Sequence, residues 1–214
     1  KRSHVPRGDF RMFFSNRERF ARYLRSVLIG LPVWYVIGIL MTFSDKFAAG
    51  AGIVDIDPAR AVMCQYAGLA FGDVAAGLIS NWLGSRKKTL LIFYGLCSVF
   101  IAAYFLFPAT AGEFYLVCIG LGFASGISVL YITMSAEQFG TNLRATAAIS
   151  IPNVVRGFLP LIILLFKGLR NLTGSFVTGG WILGIIIMIV AVIAGLFTKE
   201  TFGKDMDFLE ISAT

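Results

Sequence analysis

Six apolar runs, each about as long as the ~20 residues needed to cross a bilayer, leave this chain few ways to fold. They occupy residues 27–43, 61–83, 89–107, 114–135, 145–166 and 176–198, and the connections between them are short. In hydrocarbon every backbone N–H and C=O needs an internal partner, so spanning segments are helices or closed barrels. The alternating pattern of a barrel is absent, and the runs read as helices. Composition agrees: 57% of the residues are hydrophobic and only 14% are charged. The expectation is an all-α membrane protein with a cytoplasmic linker over 1–26, a six-helix transmembrane domain over 27–198 and a cytoplasmic tail over 199–214. Pro32, Pro152 and Pro160 are expected to kink the first and fifth spans.

The charges set an orientation. One side of the spans receives Lys1, Arg2, Arg7, Arg11, Arg17, Arg19, Arg22, Arg25, Arg86, Lys87, Lys88, Arg144, Lys199 and Lys204. The other receives only Lys46, Arg60, Lys167 and Arg170. Fourteen against four places both termini in the cytoplasm by the positive-inside rule. The net charge of +7 is thereby a topology signal, and no nucleic acid partner is expected. Cys64, Cys97 and Cys118 lie within apolar runs without metal or disulfide spacing, so no metal and no cofactor is expected. The head, FRMFFSNRERFARYLRS, interleaves Phe10, Phe13, Phe14, Phe20 and Leu24 with arginines. It fits either an amphipathic helix on the inner leaflet or a linker docked on neighbouring loops. The chain opens KRSHVPRGDF without an initiator methionine, from which a segment of a longer protein is expected.

An ionisable side chain at mid-membrane is expensive and is a functional candidate by default. Two qualify, Asp73 in the second span and Arg156 in the fifth. Counted at 1.5 Å per residue, both lie roughly 15–18 Å from the cytoplasmic surface. Either they pair or share one substrate or proton site, or each faces its own aqueous cleft. Gln65, Asn153, Trp34, Tyr35, Ser128 and Tyr131 add hydrogen-bonding and aromatic groups around them.

Three short motifs sit at cytoplasmic ends of spans. GLISNWLGSRKKTL, residues 77–90, joins the second and third; AEQFGTNLR carries Glu137 and Arg144 after the fourth; KETFGKDMDFLE, residues 199–210, follows the sixth. Together they resemble the basic-turn, Glu-x6-Arg and Pro-Glu-Thr-x-Gly motifs of the major facilitator superfamily, especially its sugar-porter-like members. The resemblance covers essentially the whole chain as the second half of a twelve-helix transporter, and implies six helices arranged as two inverted three-helix repeats. It further implies that the first and fourth spans line a central cavity, which favours Trp34, Tyr35, Ser128 and Tyr131. Gly77, Asn81, Gly84, Arg86, Lys87, Glu137, Arg144 and Glu200 would form a cytoplasmic gate, the two glycines by allowing close backbone approach. Asn81 stands where many copies of the turn have Asp, and Lys199 replaces the proline of the tail motif. The first span lacks the paired glutamines of sugar porters and the fourth lacks their tryptophan, which argues against a sugar.

The expected function is secondary active transport of a small polar or anionic metabolite by alternating access, coupled to protons. An uncoupled facilitator and a non-transporting receptor or scaffold remain alternatives. Enzyme activity is not expected, because the single histidine, His4, lies outside the spans and no nucleophile and base are set together. The expected partners are the bilayer, a small-molecule solute, and either a missing N-terminal six-helix half or a second copy of the chain. The expected location is a bacterial inner (plasma) membrane.

Overall fold

A computed structural model of the chain describes residues 8–205 and 207–210. Lys1, Arg2, His4 and Arg7, used in the arguments above, lie outside the described residues. Among the described residues all regular structure is helical, and six helical stretches are long and apolar enough to cross a membrane: Arg17–Met41, Pro58–Leu83, Arg86–Leu106, Ala111–Glu137, Thr141–Thr173 and Phe176–Phe197. The protein is read here as integral to a membrane on that basis.

The first span starts earlier than its apolar run. A 3-10 turn, Phe10–Phe13, precedes α1 (Arg17–Tyr35), whose first N–H groups are capped by Asn16, its side-chain oxygen accepting from the Glu18 N–H at 2.8 Å. Residues 17–26, expected in the linker, are thus the opening turns of the span. A short α2 (Ser44–Gly50) follows it, and then come α3 (Pro58–Leu83) and α4 (Arg86–Leu106). Gly84 closes α3 in the left-handed region (φ +57), and Ser85 caps α4 by accepting from the Lys88 N–H at 3.1 Å. Two residues therefore make the whole turn.

Three of the six spans are discontinuous. The first passes from α1 into a π-helical stretch, Val36–Met41, just after Pro32 withholds a backbone donor. Tyrosines of α4 bond to this span on either side of Pro32: Tyr94 donates to the Ile29 carbonyl in α1 (2.9 Å) and Tyr104 to the Leu40 carbonyl in the π-helical stretch (2.7 Å). The fourth span divides at Ser125 and Gly126 into α5 (Ala111–Ala124) and α6 (Ile127–Glu137). The fifth divides at Phe158 into α7 (Thr141–Gly157) and α8 (Leu159–Thr173), next to Pro160; α7 itself runs through Pro152 without a break. The last span, α9 (Phe176–Phe197), is continuous.

Small residues bring α3 and α5 together. A Cβ on Gly68 or Gly72 would strike the Ile119 or Phe123 carbonyl, and one on Gly122 the Gln65 carbonyl. Gly68 and Gly72 stand four residues apart on α3, and opposite them lie Gly122 on α5 and Gly126 at the α5–α6 break, where a Cβ would strike the Gly72 carbonyl; the backbones touch where larger side chains would hold them apart. The first span is the centre of the bundle, with 72% of its apolar window buried against 22% for the second and fifth spans. The end of α1 that carries Arg19, the α3–α4 turn, the α6–α7 turn and the tail all meet at one end of the bundle, joined by the contacts described next.

Candidate functional site

The mid-membrane polar groups cluster where the helices break. Asp73 on α3 accepts a 2.5 Å hydrogen bond from the Ser128 hydroxyl, two residues past the α5–α6 break. The Arg156 guanidinium, two residues before the α7–α8 break, lies over the Trp34 ring at 5.1 Å from its centroid. Trp34 directly precedes the last residue of α1 before the π-helical stretch. Tyr131 stands within Coulombic reach of both Asp73 and Arg156, and its ring and Val155 flank Gly30. Asp73, Ser128 and Trp34 are half-buried, whereas Arg156 and Asn153 are exposed, so this patch opens on a surface of the bundle.

Arg156 makes no ion pair among the described residues, and direct pairing with Asp73 is not what the geometry gives. The acid and the base instead belong to one patch, each with its own neutral partner. An aromatic face balances part of the guanidinium charge and leaves its N–H donors available. Asn153 donates to the Ile149 carbonyl one turn back on α7. Two of the expected site residues are elsewhere. Tyr35 is fully buried, packs against Gly184 and donates to the Gly180 carbonyl at 2.8 Å, so it ties α1 to α9. Gln65 is fully buried on α3 below Gly122, and its amide makes no hydrogen bond within the described chain. Gln65 was expected there from residue type and depth, and Tyr35 also from the resemblance, which makes the first span line a cavity; helix rotation, which decides facing, turns both away from the Asp73 patch.

At the basic end the tail folds back under the helices. Glu137 pairs with Arg86 (3.3 Å) and accepts from the Thr201 hydroxyl (2.5 Å). Arg86 also donates to Ser80 Oγ (3.0 Å) and Asn81 Oδ1 (3.3 Å) and lies over the Phe202 ring. Glu200 covers the start of α4, accepting from the Ser85 hydroxyl and from the backbone N–H groups of Arg86 (3.0 Å) and Lys87 (3.2 Å). Burial pushes the Glu200 carboxyl up, but the hydrogen bonds from Ser85 and from the Phe202, Lys87 and Arg86 N–H groups together outweigh it and hold the group below its ordinary value. Lys87 Nζ reaches the Leu196 carbonyl at 2.5 Å and Arg25 the Phe197 carbonyl at 2.6 Å, so two cations finish the C-terminal end of α9. Arg144 is half-buried in the first turn of α7. Gly84 supplies the left-handed turn, whereas the close backbone approach expected of it is not seen within the described chain: a Cβ there would meet only the Phe202 ring at 3.7 Å. Within the described chain Gly77 faces open space: a Cβ there would meet nothing within 4 Å.

Sequence reasoning missed a second clasp. Glu210, 7% exposed, pairs with Arg19 (3.1 Å) and Arg22 (2.9 Å). Asn142 fixes the same residue through its backbone, donating to the Glu210 carbonyl (3.0 Å) and accepting from its N–H (2.9 Å). The only signal for it was a tail with four acids, Glu200, Asp205, Asp207 and Glu210, opposite a head rich in arginine, and no local pattern says which acid and which arginine, 191 positions apart, will meet. Comparison with protein-family models and with curated proteins finds no match for this chain.

Proposed function

We propose that this chain is one six-helix half of a secondary transporter of the major facilitator type, moving a small anionic metabolite by alternating access with a proton. The observation that carries the reading is the patch of Asp73, Ser128, Tyr131, Arg156 and Trp34 at the level of three helix breaks, opening on a surface of the bundle. Broken helices near the midplane are where transporters build solute sites, because irregular backbone is tolerated there only if it is packed in protein or lines a cavity. Arg156, with donors available, receives the anionic group of the solute. Asp73, held by Ser128, takes the coupling proton. The pattern of neighbours supports two inverted three-helix repeats, since the first span packs on the fifth and sixth while the fourth packs on the second and third. The Glu137, Arg86 and Glu200 contacts support the gate that the motifs imply at the cytoplasmic end of a bacterial inner membrane protein. The face bearing the patch awaits a second six-helix unit, either an N-terminal half or a second copy.

The test is uptake into proteoliposomes by the protein together with its companion half, with carboxylates, aromatic acids and sugars as solutes. An imposed proton gradient should drive accumulation of a carboxylate. Arg156→Gln and Asp73→Asn should each abolish accumulation, with Asp73→Asn retaining exchange of solute already bound. Uptake that survives collapse of the gradient would make the protein a facilitator. Absence of uptake for every class, in protein that is folded and correctly inserted, would overturn the transporter reading.

A further inference from the structure

We propose that residues 10–24 form a docking surface for anionic phospholipid headgroups in the leaflet that faces both ends of the described chain. Phe10, Phe14, Phe20 and Leu24 are each at least 40% exposed, although they stand beside a well-packed core that takes in Met12, Phe13 and Tyr23. The three exposed phenylalanines form one cluster: Phe14 meets Phe10 at 5.4 Å and Phe20 at 5.7 Å, and Phe10 and Phe14 both contact Tyr23. Arg11 and Arg17 alternate with these rings along the chain, are exposed, and neither side chain enters an ion pair of the described chain. Their neighbours Arg19 and Arg22 are turned inward onto Glu210. The arginines of this one segment are thereby divided, two fixing the tail and two left on the surface.

Depth selects the occupant. The Tyr94 and Tyr104 bonds set α4 beside α1 in parallel, Ile29 level with Tyr94 and Leu40 with Tyr104, so the middle of α4 falls opposite the neighbourhood of Leu31. At 1.5 Å per residue, Leu24 then lies about 10 Å, Phe20 about 16 Å and Arg17 about 21 Å from the midplane. The hydrocarbon core ends at about 15 Å and the headgroup region at about 20–22 Å. Leu24 is therefore in acyl chains, the aromatic cluster at the boundary and Arg17 among phosphates, the distribution of an interfacial anchor. Charge makes the same choice. A second six-helix unit would bring its own basic inner rim against Arg11 and Arg17, whereas phosphate oxygens complement them.

The experiment uses the full chain in nanodiscs of phosphatidylcholine, with or without phosphatidylglycerol, and reads backbone hydrogen exchange over residues 10–20. Phosphatidylglycerol should slow exchange there, by about fivefold per engaged arginine, and added salt should reduce the effect. The paired variant Arg11→Gln with Arg17→Gln should exchange alike in both discs, and the paired Lys variant should keep most of the response. These side chains are exposed, so the fold survives both; exchange over α4 verifies it. Three results would each overturn the proposal: no response to phosphatidylglycerol, an equal response in the Gln pair, or protection by free glycerol phosphate in phosphatidylcholine discs. Protection that arises only when a companion six-helix unit is added would assign the cluster to a protein interface instead.

Discussion

Gly122 and Gly77 are the same residue type in two opposite settings. Gly122 lies under the Gln65 carbonyl with no room for a methyl group, while Gly77, on α3 itself, faces open space. Overpacking a tight interface costs about 1–3 kcal/mol, and a helical Gly→Ala change in open space gains roughly 0.5–1 kcal/mol. Gly122→Ala should therefore lower the melting temperature in detergent, and Gly77→Ala should leave it unchanged or raise it. Equal melts for the two variants would show that α3 and α5 do not touch backbone to backbone. At the same scale the aspartate of the second span is a local arrangement: a carboxylate that accepts from the Ser128 hydroxyl and is related to Arg156 only through Tyr131, which feels both charges.

At the scale of single elements, helix ends carry the polar chemistry. Glu200 places a carboxylate on the N-terminal N–H groups of α4, where the helix dipole favours negative charge. Its folded pKa lies below the ordinary value of 4.5, so the ionised form is the one that folding favours. The stability it contributes is present above the unfolded pKa and is lost as pH falls through the lowered folded pKa. A melt followed from neutral to strongly acidic pH should show this loss in the parent and a flatter profile in Glu200→Gln. A profile unchanged by the substitution would mean that the cap is too solvated to matter. The basic turn after α3 is explained by the same logic: Gly84 turns the chain, Ser85 and Glu200 cap α4, Arg86 spans to Glu137, and Lys87 caps α9.

For the whole molecule, the tail is a strap that couples the first helix to the loops between the others. The Arg19 and Glu210 side chains are 4% and 8% exposed, and removing one partner of a buried pair costs about 3–5 kcal/mol because the other is left uncompensated. Glu210→Gln should destabilise strongly, and Glu210→Gln combined with Arg19→Gln should be milder than the sum of the two singles. Additive effects would show that the two residues do not act as a pair. Topology is tested at this scale too. With Cys64 replaced by alanine, a cysteine at Val54, which is 75% exposed in the connection after the first span, should be labelled from outside intact cells. One at Lys204 should react only after permeabilisation; the reverse pattern would invert the orientation.

The six spans, their helical nature and the basic side were legible in the chain itself, because burying backbone in lipid is a requirement that each segment meets alone, through length, apolarity and flanking charge. The Glu137–Arg86 contact was legible for a related reason, since short turns keep motif residues at the same end of the bundle. Which way a helix faces was not. Tyr35 and Trp34 are adjacent in sequence, yet one locks α1 to α9 and the other lies under Arg156 on the open patch. Hydropathy is nearly uniform around α3, α4, α5, α6 and α9, so no polar stripe marks an inner face there, and even in α1 it does not tell Trp34 from Tyr35; rotation is fixed only when neighbouring helices interdigitate. The same holds for Glu210: sequence supplied an acid and an excess of arginine, and the fold chose Arg19 and Arg22 by bringing the tail across the start of α1.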